Sequence, residues 1–173
     1  LQREVETMSG CMRQCDWDDN QVCRSCGIDY APPKPMRPFH LAFPVDDLEA
    51  AKEFYVEVLG CSTGREKEDS CVFKFYGHQI VAHRVPKMPE LITSPVDGKE
   101  IPAMHFGLVM DWDDWHQLRA RFESKGVEIV IGPYTRYEDQ PGSQTTMFIK
   151  DPCGNYLEFK SFKDDGAIFA SEW

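Results

Sequence analysis

Phe39-His40-Leu41-Ala42-Phe43-Pro44-Val45 and Met104-His105-Phe106-Gly107-Leu108-Val109-Met110 are two copies of one pattern. Each is strand-length, each carries a histidine at its start, and each leads into an aspartate, an amphipathic stretch and a glycine. The spans are Asp46 to Gly60 and Asp111 to Gly126. Self-similarity of this kind marks a duplicated supersecondary unit. The second copy closes on Gly154-Asn155-Tyr156-Leu157-Glu158-Phe159. Two histidines at matching strand starts and a glutamate near the final strand offer the donors of a three-ligand metal centre.

Working outward, Asp46 or Asp47 can cap the first helix, with Glu49 three after Asp46 as in a capping box. Leu48, Ala51, Tyr55 and Leu59 form its apolar face, and Gly60 suits the residue just past its end. Strands are expected at Cys71 to Tyr76 and Gln79 to Val85, with a weaker one around Cys61 to Lys67. Pro86, Pro89, Pro95 and Pro102 make residues 86–103 an irregular connector. In the second unit Asp111 caps a helix with Trp115, Leu118 and Phe122 inward. Strands follow at 127–131, 145–150 and 156–162, with a polar loop from Arg136 to Gln144 and a turn at Asp151 to Gly154. The fold class is therefore α+β, built of two tandem βαβββ modules at 38–86 and 104–163, with a tail at 164–173.

Residues 1–30 are polar and hold four of the seven cysteines. Cys11, Cys15, Cys23 and Cys26 stand in two short pairs, a spacing that can surround Zn(II) tetrahedrally and fold a segment too small for its own core. Disulfides or free thiols are the alternative reading. Residues 31–37 are a proline-rich, extended linker. The cysteines are too sparse for a disulfide framework, which points to a reducing, cytoplasmic setting. The 173 residues carry a net charge of -10, which opposes nucleic acid. No apolar run is long enough to span a bilayer.

The tandem modules and the phrase Asp151-Pro152-Cys153-Gly154-Asn155-Tyr156-Leu157-Glu158 resemble the vicinal oxygen chelate superfamily. It holds glyoxalase I, extradiol dioxygenases, fosfomycin-modifying enzymes, bleomycin-resistance proteins and methylmalonyl-CoA epimerase. His40 to Val45 with Gly77-His78-Gln79-Ile80-Val81-Ala82-His83 is more narrowly similar to small predicted extradiol dioxygenases. The resemblance implies four ligand slots, on the first and last strand of each module. His40, His105 and Glu158 fill three, and Val81, four after Gly77 as Glu158 is four after Gly154, leaves the fourth without a donor.

Two imidazoles and one carboxylate form the facial triad suited to Fe(II), with positions left for a chelating substrate and dioxygen. The activity implied is an extradiol-type dioxygenase acting on a catechol-like substrate. His83 shares the face of Val81, and Tyr156 that of Glu158, so either could move protons. Arg136 could meet a substrate carboxylate with its planar fork. Mn(II), Ni(II) or Zn(II) would instead imply Lewis-acid chemistry of glyoxalase, epimerase or fosfomycin-transferase type. A metal-free binding protein of bleomycin-resistance type is the reading from another class. In this superfamily sites form within one chain or across a swapped homodimer.

Overall fold

In a computed structural model, residues 37–96 and 98–170 are described. The cysteine-rich segment, the start of the linker and the last three residues of the tail lie outside them, and with them the proposed zinc ligands Cys11, Cys15, Cys23 and Cys26. The first module runs β1 (His40–Val45), α1 (Leu48–Glu53, continued by a π-helical turn at Phe54–Val58), β2 (Ser62–Lys67), β3 (Ser70–Phe75) and β4 (His78–Arg84). The second runs β7 (Phe106–Met110), α2 (Trp112–Ser124), β8 (Ile129–Arg136), β9 (Gln144–Lys150) and β10 (Tyr156–Phe162). Their sheets have the same order, β1-β4-β3-β2 and β7-β10-β9-β8. In each, the first and last strands pair in parallel. The remaining neighbours are antiparallel.

One core joins both modules. Tyr55 of α1 stacks on Phe73 at 5.0 Å between ring centroids, and Phe43 of β1 meets Phe106 of β7 at 5.1 Å. Trp115, Leu118 and Phe122 bury the inner face of α2 in the same cluster. A polar staple crosses it. Asp151 accepts from the Tyr55 hydroxyl at 3.2 Å and from the backbone N–H groups of Cys153 and Asn155, while the Asn155 amide donates to the Pro44 carbonyl at 2.9 Å. Burial raises the pKa of Asp151 although all these donors favour its charge.

Three local expectations are corrected. Asp47 alone caps α1, accepting from the Ala50 N–H at 3.0 Å, so the Asp46–Glu49 capping box does not form. The connector is not wholly irregular, because β5 (Thr93–Val96) and β6 (Lys99–Pro102) pair as an antiparallel ribbon. A two-stranded ribbon has only edge strands, where the missing N–H of Pro95 and Pro102 is tolerated. Arg136 belongs to the end of β8, not to the loop after it.

Candidate metal centre

Alternation along β10 sends Leu157 and Phe159 into the core and turns Tyr156, Glu158 and Lys160 to the open face. Glu158 stands opposite Gly107 on β7 and Phe148 on β9. Glycine is required at 107, because a Cβ there would collide with the Glu158 carbonyl oxygen. That close approach sets β7, and His105 just before it, against the carboxylate.

Nε2 of His105 lies 3.3 Å from Oε2 of Glu158. Two donors bound to one ion at about 2.1 Å and at right angles sit roughly 3 Å apart, so the pair has the spacing of adjacent metal ligands. Nδ1 of His105 is 2.7 Å from the Pro102 carbonyl, which can only accept, so Nδ1 carries a proton and Nε2 is the nitrogen that could coordinate. Phe148 meets the imidazole edge-on, with centroids 5.2 Å apart. The other carboxylate oxygen, Oε1, accepts from Thr146 at 2.7 Å and lies 3.3 Å from Nζ of Lys160.

These partners settle the charge of the site. Burial alone would raise the Glu158 pKa, but hydrogen bonds from His105, Thr146 and Lys160 lower it to about 2. Glu158 in turn raises the His105 pKa, aided by the Pro102 carbonyl and opposed by desolvation. Donation from His105 to Glu158 uses a proton on Nε2, the place a bound cation would take. Imidazole nitrogen beside an ionised carboxylate is a donor set that fits a divalent transition ion.

His40 does not join this pair. It is exposed on β1, with Nδ1 2.8 Å from the Gln79 amide oxygen, which makes Nε2 the ring nitrogen that could coordinate, as in His105. Among the described residues no three His, Cys, Asp or Glu side chains gather as a metal cluster. The frame of the repeat is nonetheless kept. Ala42 faces Val81 as Gly107 faces Glu158, and Pro44 faces His83 as Val109 faces Lys160. Val81 thus holds the Glu158 position of the first module, and exposed His83 holds that of Lys160.

Two cavities meet at His105. The larger, about 360 Å³, is mostly apolar, with Phe43, Met88 and Ile92 in its wall beside Tyr156. The smaller, about 170 Å³, contains Glu158, Thr146, Lys160 and Arg136. Arg136 thereby reaches the neighbourhood of the pair, with Nη2 3.2 Å from the Tyr137 hydroxyl. Sequence reasoning missed Lys160 and Thr146. Lys160 was signalled by its two-residue spacing from Glu158, whereas Thr146 depends on the β9–β10 register.

Two βαβββ modules with a histidine–carboxylate pair on an open sheet face define a vicinal oxygen chelate protein. The sequence profile of the Glyoxalase/Bleomycin resistance protein/Dioxygenase superfamily matches residues 37–159, and the chain belongs to that superfamily. A glyoxalase/bleomycin resistance protein/dioxygenase from Alicyclobacillus acidocaldarius is 30% identical, with a TM-score of 0.67 over 80% of this chain and 100% of that one. Virulence protein STM3117 from Salmonella typhimurium is 26% identical, with a TM-score of 0.51 over 74% and 98% of the two chains. The fosfomycin resistance protein FosX from Listeria monocytogenes shares the fold, at 14% identity and a TM-score of 0.56 over 78% and 99%. No curated protein matches the chain. No described helix is long and apolar enough to cross a membrane.

Proposed function

We propose that this chain is a divalent-metal enzyme, an Fe(II) extradiol-type dioxygenase acting with dioxygen on a small catechol-like substrate. The observation that carries the reading is the His105–Glu158 pair, spaced at 3.3 Å with the imidazole tautomer fixed by Pro102. His105 and Glu158 would hold the ion. The third ligand is His40, supplied by a second copy of the chain in a homodimer. Its exposed position and its matching tautomer support this assignment.

Bound iron would make the substrate hydroxyls more acidic and carry electron density to dioxygen. The protein's own part is orientation and proton handling. Thr146 and Lys160 hold Glu158 ionised and aimed. His83, in the matching row of the first module, and Tyr156, beside His105 in the larger cavity, are the candidate proton-transfer groups. Val81 leaves the fourth slot without a donor or base, which disfavours a glyoxalase-like isomerase using Mn(II), Ni(II) or Zn(II).

The test is metal analysis of protein purified without oxygen, followed by oxygen uptake with a panel of catechols. One iron per main site and uptake with at least one catechol are expected. His105→Ala and Glu158→Gln should each lose the ion. Iron-loaded protein inert towards every catechol, yet active as an isomerase or transferase, would replace this reading with the Lewis-acid one. A zinc ion on Cys11, Cys15, Cys23 and Cys26 belongs to the same proposal, as does a cytoplasmic setting. Deleting residues 1–30 should remove that zinc and leave the iron.

A further inference from the structure

The larger cavity, about 360 Å³, has the size and the mostly apolar wall of a small-molecule site. Hydrogen bonds fix two sides of it. The Asn155 amide donates to the Pro44 carbonyl at 2.9 Å and to Asp151 at 2.8 Å, which holds the entry to β10 against β1. The Ala103 N–H donates to the Ile92 carbonyl at 2.7 Å, which ties the connector to the approach to β7. Phe43 and Phe106 line the hollow from the core side. Leu91, Ile92 and Met104 also line it, yet they are 56%, 67% and 77% exposed. Three large apolar side chains left in water around one hollow gain free energy when a ligand covers them.

The hollow adjoins the metal pair. His105 lines both cavities. Tyr156 lines the larger, and Glu158, the next residue on the same face of β10, lines the smaller. One such step along a strand is about 7 Å, the scale of a single ring with its substituents. A ring held by two oxygens at His105 and Glu158 can therefore extend an arm into the larger cavity. The room there is more than twice the cavity of about 150 Å³ that accepts benzene. Glu90 in the wall opposes a carboxylate on that arm, and the apolar surroundings would not solvate one.

We propose that the larger cavity binds an uncharged apolar arm of the substrate, an alkyl or aryl group of about six to ten carbons. The inference rests on the proposed function for the diol end only. The apolar site stands on the cavity itself.

The test is calorimetric titration of the full-length protein, reconstituted with Fe(II) without oxygen, using catechol, 3-hexylcatechol, 4-hexylcatechol and 4-hexylphenol. The better hexylcatechol should bind about a hundredfold or more tightly than catechol, since each methylene buried is worth about fourfold. Ala42 and Ala103 are small, exposed residues of the cavity wall. Ala42→Leu and Ala103→Leu take up part of the hollow and should each narrow that ratio, so loss of folding in one variant leaves the other to decide. Equal affinity for catechol and both hexylcatechols, or a ratio that neither variant narrows, would overturn the proposal. If 4-hexylphenol, which lacks the vicinal oxygen, binds as tightly as the hexylcatechols and the variants weaken all three, the dioxygenase reading fails while the apolar site stands. If no hexyl compound binds, the apolar site fails too.

Discussion

Val81 and Glu158 occupy the same register position in the two modules, one opposite Ala42 and the other opposite Gly107. The duplication therefore preserves geometry while dividing chemistry. The second module presents a carboxylate and a histidine together, and the first presents a histidine beside an apolar side chain. The proposed three-ligand set draws on one face of each.

That division predicts complementation between defective chains. His40→Ala and His105→Ala homodimers should each lack bound iron. Mixing the two, with subunit exchange, should restore one complete site per heterodimer, because one of its sites combines intact His40 from one chain with intact His105 from the other. Iron counted in the purified heterodimer checks this. A mixture that stays metal-free would place the third ligand elsewhere.

The His105–Glu158 pair also predicts a pH dependence for the metal-free protein. The raised His105 pKa contributes stability that is present below its ordinary value of 6.5 and is lost as pH rises through the raised value. Glu158, lowered from 4.5 to about 2, contributes stability present above 4.5 and lost as pH falls towards 2. Both contributions are whole between those ordinary values. The stability difference between wild type and Glu158→Gln, from denaturant titrations, should therefore peak in mildly acidic solution and shrink on either side. Taking the difference cancels the opposing effect of Asp151. A difference flat with pH would mean that the pair is not coupled.

Much of this arrangement was legible beforehand. The apolar runs at β1, β7 and β10 identified the strands, and the repeat with its final strand singled out His40, His105 and Glu158, of which His105 and Glu158 come together and His40 stands apart. The β5–β6 ribbon was hidden because Pro95 and Pro102 weaken any strand signal, and among the described residues each of its strands pairs only with the other, which makes them acceptable there. Arg136 read as loop because Gly132 and Pro133 interrupt β8, where the register to β9 shifts. The grip of Thr146 on Glu158 joins residues on separate strands, so no local pattern announces it.

Gly107 offers a test of how the carboxylate is placed. Gly107→Ala drives a methyl group into the Glu158 carbonyl oxygen, so β7 and β10 must separate. A loss of about 1–3 kcal/mol is expected in chemical denaturation, the usual scale of overpacking. Metal affinity should fall with it, since Glu158 lies on one of the strands forced apart and His105 immediately precedes the other. Unchanged stability and affinity would show that the close approach is not needed.

For proton transfer, His83→Ala should slow turnover about a hundredfold or more while iron occupancy stays near that of wild type. Tyr156→Phe tests the alternative donor in the same assay. Loss of iron from His83→Ala would make His83 a ligand, and the three-ligand account would give way to an isomerase-like one.

The most direct measurement is anomalous diffraction at the iron edge, from crystals of the full-length protein reconstituted with Fe(II) without oxygen. The account predicts one strong peak at each main site, within about 2.3 Å of Nε2 of His105, a carboxylate oxygen of Glu158 and Nε2 of His40 from a second copy. Iron bound on other side chains, with no density between His105 and Glu158, would contradict it.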